Sequence, residues 1–554
     1  MRKNLLLTVL LVSVGVLAMA DNAGGLQWVS QLLPPADGKC QSNIHAVRTN
    51  AEGMAFVLGN YGSIAPDDET TFLGTTITGA DYGTGSGYNI NMVFAKVDSL
   101  GKPQWVIHST EGYFAGGVFC PTNDGGAVLA VKFRLTEKNK QDGVKNPYIV
   151  LTDGAGKTYS LDDTYQGTNL MHIVLVRVDA QGAVTQFVPM SASHAVAPQS
   201  TDNKPTADVA DITAIMEDEE GNLYWQGGQA MDIALGTDTI YARENADWDG
   251  SSFSSHCNSF VIKTTAQFGH IAHTTTAGNL QYDRFMLAAY HNGNIVLAGH
   301  VMADGTGNLQ WGDQQLAVRD RCIVTAHFDR NLTCTAMYQV QQVRVNNMSG
   351  MFKHLAWSND SATLYMSGSL NGGLLWKGDT IASGNKEAGK KNDGLLLQID
   401  AATAEPTGVA VLHSDILNVN IGAASVGDTV YVLNYQFGTD ISLLVYDDQL
   451  NYIGSRVLAT GGGSLSALSM DRYNERLYIA MRAHGGAPFN IGNQTMSPKP
   501  LWYATLSGWL LKGDASTGTI SPELTTEKAK KVVIDGRLYI RKGNQLFNAL
   551  GQQL

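Results

Sequence analysis

The densest run of ionisable residues is Glu217-Asp218-Glu219-Glu220. Calcium ligands alternate along a loop and close on a bidentate Glu. These four are contiguous and sit where one apolar run turns into the next, so the spacing predicts a solvated turn. Asp67-Asp68-Glu69 and Asp162-Asp163 read the same way. Glycoside hydrolysis needs two carboxylates facing one cleft, which linear spacing does not reveal, so sugar cleavage stays open at this level. His270, His273 and His300 lack HExxH spacing. His256 and Cys257 read as strand neighbours pointing to opposite faces. There is no Gly-x-Ser-x-Gly elbow, and Gly461-Gly462-Gly463 does not open a helix as a phosphate cradle does. The sequence therefore assigns no catalytic residue, no metal ligand and no cofactor.

Recognition is the better-supported chemistry. Trp248 lies in the polar insert Asn245 to Ser255 with Tyr241 close by, and aromatics displayed on loops are a common means of gripping a sugar or a protein. Trp225, Trp311, Trp376 and Trp509 occupy repeat-equivalent strand positions, where packing is the expected role. Five Cys are few for 554 residues, so disulfides are not the framework. Cys322 and Cys334 flank the Asp329-Arg330-Asn331 turn and could bridge two strands. Cys40 with Cys120 is a second candidate pair, and buried free thiols are the alternative for both.

The elements that must position these residues recur. Each unit has a short apolar strand, then a Leu-Tyr-x-x-Gly-like strand, then a loop holding an apolar-x-Gly-x-x-apolar hairpin. A Phe-Val-x-Lys-x-Asp-like strand, a Gly turn and an outer strand complete it. The clearest copies are Glu220-Gly221-Asn222-Leu223-Tyr224 with Gly227, and Phe94-Ala95-Lys96-Val97-Asp98 with Gly101. Seven units are counted between about 43 and 519, with six or eight as alternatives. The sixth, about 417–463, is the shortest and has no hairpin. Gln27-Trp28-Val29 near the start echoes Gln104-Trp105-Val106 at the end of the first unit. The seventh unit shows no clear outer strand after Gly513-Asp514, so Leu26 to Leu32 is expected to supply it.

A four-stranded antiparallel unit repeated four to eight times is the sequence form of a β-propeller. The expected fold is all-β, a propeller of seven four-stranded blades closed by the N-terminal strand, with a small C-terminal β segment. The units resemble the β-propeller repeats of bacterial secreted proteins, in which a Gly-Asn-x-Tyr-Val-x-Gly strand precedes an Asp-x-Phe-Val-x-Lys-x-Asp-x-x-Gly strand. That resemblance implies a fold and extracellular binding or adhesion, and no activity. Residues 532–554, with Gly536-Arg537-Leu538-Tyr539-Ile540 and Phe547-Asn548, resemble the C-terminal segment of exported Bacteroidetes proteins that is related to the type IX secretion sorting domain.

Composition agrees with export. Arg2 and Lys3, the apolar run Leu5 to Leu17 and Ala18-Met19-Ala20 form a signal peptide over 1–20. The propeller is expected over 21–519 and a charged linker over 520–531. No later segment is apolar enough to cross a membrane as a helix. The net charge of −12 argues against a nucleic-acid partner. The expected function is a secreted or cell-surface binding module without catalysis, recognising a glycan or protein through the long inserts of units one to three (about 60–92, 132–170 and 229–258). The alternatives are a propeller enzyme acting on extracellular polysaccharide and a structural subunit of an envelope assembly.

Overall fold

The computed structural model describes residues 25–33, 41–62, 69–78, 91–134, 149–161, 172–192, 210–229, 232–235, 238–241, 258–280, 282–343, 351–358, 360–370, 372–382, 392–413, 418–436, 440–461, 464–484, 488–497, 503–511, 530–534, 537–542 and 545–547. These residues are all-β. Their strands fall into seven antiparallel sets of four, whose first strands are Ser42–Thr49, Tyr113–Pro121, Ala210–Glu217, Tyr282–His291, Met351–Trp357, Asn418–Val426 and Ser464–Tyr473. Each first strand neighbours the next in that order, and Ser464–Tyr473 lies beside Ser42–Thr49. The seventh set takes its outer strand from the start of the chain: Leu26–Leu33 runs antiparallel to Tyr503–Leu510, with Val29 opposite Ser507 and Leu32 opposite Ala504.

The second and third strands carry apolar residues without alternation because both faces of each sheet are covered. Ala55–Tyr61, Asn91–Val97, Leu223–Gln229 and Asn258–Thr264 are buried along their whole length. Among the described residues the core is accordingly divided into seven clusters, each between consecutive units. One holds Phe94 and Phe119 of units one and two, and another holds Trp28, Tyr478 and Val57 of units seven and one.

The repeat motifs have geometric causes. Every first strand carries a one-residue irregularity at the same place, for instance between Ile44 and Ala46, Ile212 and Ala214, and Phe285 and Leu287. The Gly of the Leu-Tyr-x-x-Gly strand sits opposite it, against a backbone carbonyl. A Cβ on Gly227 would lie 2.1 Å from the Asp211 oxygen, and one on Gly299 2.2 Å from that of Arg284. The motif Asp folds the following turn: Asp98 Oδ1 accepts from the N–H groups of Leu100 and Lys102, and Asp447 Oδ1 from those of Gln449 and Asn451. The motif Lys ties units together. Lys96 Nζ donates to Gly125 O at 2.8 Å, and Lys263 Nζ to Arg330 O at 3.3 Å. Gln398, at the same position, donates to Asp448 O.

The Gln-Trp-Val echo is one contact made twice. Trp105 covers Gly182 and donates from Nε1 to Ala180 O at 3.1 Å, while Trp28 covers Gly101 and donates to Ser99 O at 3.0 Å. Both glycines have a left-handed backbone, with φ of 89° and 80°.

The inserted hairpin leaves its own unit. Its first strand pairs with the outer strand of the preceding unit, as when Leu374 lies opposite Gln342 and Asn490 opposite Thr460. Residues 530–547 form a separate three-stranded sheet, Lys530–Ile534, Arg537–Lys542 and Gln545–Phe547. Among the described residues no helix is long and apolar enough to cross a membrane.

The cross-strand disulfide expectation is corrected. Cys322 and Cys334 are both free thiols. Cys322 faces Gln341 and Cys334 faces Phe328, six positions along the strand. That is about 20 Å at ~3.4 Å per residue, whereas a bridge needs Cα atoms within about 7 Å. Cys120 is also a free thiol, and Cys40 lies outside the described residues.

Candidate functional site

Several first strands end together around a cavity of about 1240 Å³, walled by residues of five units: Thr49 to Ala51, Tyr290 and His291, Trp357, Val426, and Arg472 to Arg476. Turn chemistry fixes the wall. Asn50 Oδ1 accepts from the N–H groups of Glu52 and Met54. Tyr473 lies on Gly53, whose φ is 78° and where a Cβ would meet the ring at 2.6 Å. Units one and seven are joined behind the wall: Thr49 N donates to Asp471 Oδ2 at 2.7 Å, and Thr49 Oγ1 to Arg472 O at 2.8 Å.

The lining combines rings and cations. His291 and Trp357 stand 5.3 Å apart, tilted by 51°. Tyr290 stacks on Tyr224 at 5.5 Å, and its hydroxyl donates a hydrogen bond to Glu219 Oε2. Arg472 and Arg476 share the lining with one carboxylate, Glu475. The Arg476 guanidinium reaches Tyr478, while its buried Nε has no hydrogen-bond partner among the described residues. Arg48 lies close behind, its Nη1 donating to Val47 O at 2.9 Å. Burial first and Arg48 second push the imidazole of His354 down to about 3. Burial raises the Asp471 carboxyl, against the pull of Arg48 and of the N–H groups it accepts from.

The turn Glu217–Glu220 is not simply solvated. Glu217 accepts from Asn123 N of unit two at 2.5 Å, and burial pushes its carboxyl up to about 7. Asp218 accepts from Asn222 N and from the Tyr224 hydroxyl, and lies 3.5 Å from Lys263 Nζ. Glu220 meets Arg330 of unit four at 3.3 Å. The four acids tie three units, a role invisible in a contiguous run. Among the described residues no group of three His, Cys, Asp or Glu side chains is placed to hold a metal.

The remaining sequence candidates are scattered. Tyr241 follows the outer hairpin strand Asp238–Ile240 and is 69% exposed, away from the cavity. Trp248, His256, Cys257, Asp67, Asp68, Asp162 and Asp163 lie outside the described residues, as do most of the long inserts of units one to three. His270 and His273 meet at 3.1 Å on an outer strand. His300 is apart from them, half-buried near Arg321 and Arg284, and desolvation holds its imidazole down at about 4. Trp225, Trp311 and Trp509 are buried as expected, and Trp376 packs at the rim of a core cluster. The cavity residues went unrecognised because they come from units far apart in sequence. Their one shared signal is position, since each borders the turn between first and second strands.

No protein-family model and no curated protein matches the chain. Among solved structures it is similar to the Dos1 propeller, at 11% identity and a TM-score of 0.36, over 87% of this chain and 96% of that one. It is similar to a puromycin hydrolase, at 9% identity and a TM-score of 0.35, over 90% of this chain and 58% of that one. A Mycobacterium tuberculosis puromycin-hydrolyzing peptidase aligns at 8% identity and a TM-score of 0.37, over 91% of this chain and 58% of that one. At these values none of the alignments bears on activity.

Proposed function

We propose that the chain is a seven-bladed β-propeller closed by its N-terminal strand, exported to the cell surface or beyond, and that it acts as a non-catalytic binding module for an acidic glycan. The cyclic succession of first strands and the seven inter-unit cores support the blade count and the closure. The signal-like 1–20 and the tail's resemblance to a type IX sorting segment support export. The observation that carries the ligand class is the cavity lining. Trp357, His291 and Tyr473 offer faces on which sugar rings stack, while Arg472 and Arg476 offer planar forks for carboxylate or sulfate. That cationic lining belongs to a chain of net charge −12. One lining carboxylate, Glu475, falls short of the opposed pair that glycoside hydrolysis uses, so binding is favoured over cleavage.

The test is calorimetric titration with oligogalacturonate, a sulfated oligosaccharide and a neutral oligosaccharide of equal length. At least one acidic sugar binds, the neutral one does not, and no new reducing ends form in the mixture. Trp357→Ala and Arg476→Gln each weaken binding tenfold or more, about 1.4 kcal/mol. Equal binding of the neutral sugar, or wild-type affinity in both variants, would sink the reading.

A further inference from the structure

The hairpins leave one strand edge open. In six of the seven units the outer strand is extended, near its C-terminal end, by the first strand of a hairpin from the following unit. The exception is the outer strand of unit five, Pro406–Leu412, which pairs only with Asp393–Asp400 among the described residues. The cause lies in unit six, where Thr429–Gln436 and Ile441–Asp447 are joined by four residues, too few for a hairpin. Pro406–Leu412 contains no charged residue, and its one edge-protecting residue, Pro406, stands at the first position, away from the C-terminal end at which the hairpins dock elsewhere. Val409 and Val411 lie partly buried against a core cluster, so the sheet face there is already apolar.

The chain also carries one hairpin more than its seven units use. Ile534-Asp535-Gly536-Arg537-Leu538-Tyr539 repeats the apolar-x-Gly-x-x-apolar pattern of Trp376-Lys377-Gly378-Asp379-Thr380-Ile381, the hairpin that extends unit four. Lys530–Ile534, the first strand of this extra hairpin, is an edge strand of its three-stranded sheet with one side unpaired. In the six other hairpins it is likewise the first strand that docks. Charge favours the match. The tail carries Lys530, Lys531, Arg537, Arg541 and Lys542 against Asp535, and Asp400 and Glu405 lie at the turn that leads into the open strand. Residues 512–529 can span roughly 60 Å at ~3.3 Å per residue, enough to reach a neighbouring molecule. Among the described residues the tail strands pair only with one another.

We infer that the open edge of Pro406–Leu412 receives the C-terminal hairpin of a second copy of this chain, Lys530–Ile534 adding antiparallel to it as the inserted hairpins do elsewhere. Reciprocal exchange gives a two-fold dimer in which both unit-five sheets are completed.

The experiment is sedimentation equilibrium of the purified full chain over a concentration series, with hydrogen exchange followed at residues 406–412. A dimer is expected, with protection of 406–412 that rises with concentration. Gly536→Val, which removes the turn dipeptide Asp535-Gly536 from the tail sequence and lies outside the seven units, and Thr407→Lys, which places a charge on the exposed side chain of the open strand, should each return the chain to monomer with the seven units still folded by circular dichroism. A monomer at every concentration, or a dimer that survives Gly536→Val, would overturn the inference. Protection of 406–412 in a monomer that Gly536→Val abolishes would overturn it in favour of docking by the same molecule's tail.

Discussion

Burial sets the protonation of the groups that face the interior, and two classes of them pull in opposite directions. His300 and His354 are held neutral, at about 4 and about 3 against an ordinary 6.5. Their folded values are depressed, so the stability they contribute is present above 6.5 and lost as pH falls towards 4 and 3. Glu217, raised to about 7 from 4.5, does the reverse: its contribution is present below 4.5 and lost as pH rises to 7. The two histidines, joined by the lowered carboxyls of Asp124 and Asp218, outweigh the raised carboxyls of Glu217 and Asp471, so the melting temperature should fall when pH is lowered from 7 to 4. At ~1.4 kcal/mol per pH unit, His300 alone accounts for about 3 kcal/mol of that loss. Thermal melts of His300→Gln should show a flatter acid limb, and Glu217→Gln should gain stability at pH 8. A pH-independent melt would refute both assignments. None of this is legible in the sequence, where Glu217 reads as part of a solvated turn, because the contact that covers it comes from Asn123 of a neighbouring unit.

Strands and turns were more legible than side-chain roles. The Leu-Tyr-x-x-Gly and x-Lys-x-Asp-x-x-Gly patterns mark strand ends because each residue answers a local geometric demand: close approach, an inter-unit tie, a clamped turn, a left-handed backbone. Glycine substitutions separate those demands. Gly227→Ala drives a Cβ into the Asp211 carbonyl at 2.1 Å and into Phe260 at 2.6 Å, and should cost about 2–3 kcal/mol in chemical denaturation. Gly454→Ala, which meets nothing within 4 Å, should stay within about 0.5 kcal/mol of wild type. Trp28→Ala opens the space over Gly101 and should cost about 3–5 kcal/mol. An equal cost for both glycine variants would refute the close-approach account of the motif. The destination of the hairpins was illegible, since a hairpin pattern says nothing of which sheet its edge will meet.

Across the whole molecule, stability is distributed over seven inter-unit cores rather than concentrated in one, and Leu26–Leu33 takes part in the core between units seven and one. Removing residues 21–33 should lower the melting temperature by ten degrees or more. It should also speed hydrogen exchange of Tyr503–Leu510, with a synthetic peptide of residues 24–34 restoring both. No change on deletion would show that the pairing of Leu26–Leu33 with Tyr503–Leu510 contributes little. The repeat and its terminal strand could be read from the sequence because they depend on order along the chain. The cavity could not, because it depends on which turns meet in space.

The pairing of Leu26–Leu33 with Tyr503–Leu510 also imposes a schedule. Leu26–Leu33 meets only Glu69–Phe72 early, and waits for its longer partner while nearly five hundred residues emerge before Tyr503 exists. A polypeptide lacking Tyr503–Leu510 therefore displays a ribbon matched only at Leu32 and Leu33, a mark of incompleteness that a chaperone or protease can detect. Synthesis of Tyr503–Leu510 is what erases it.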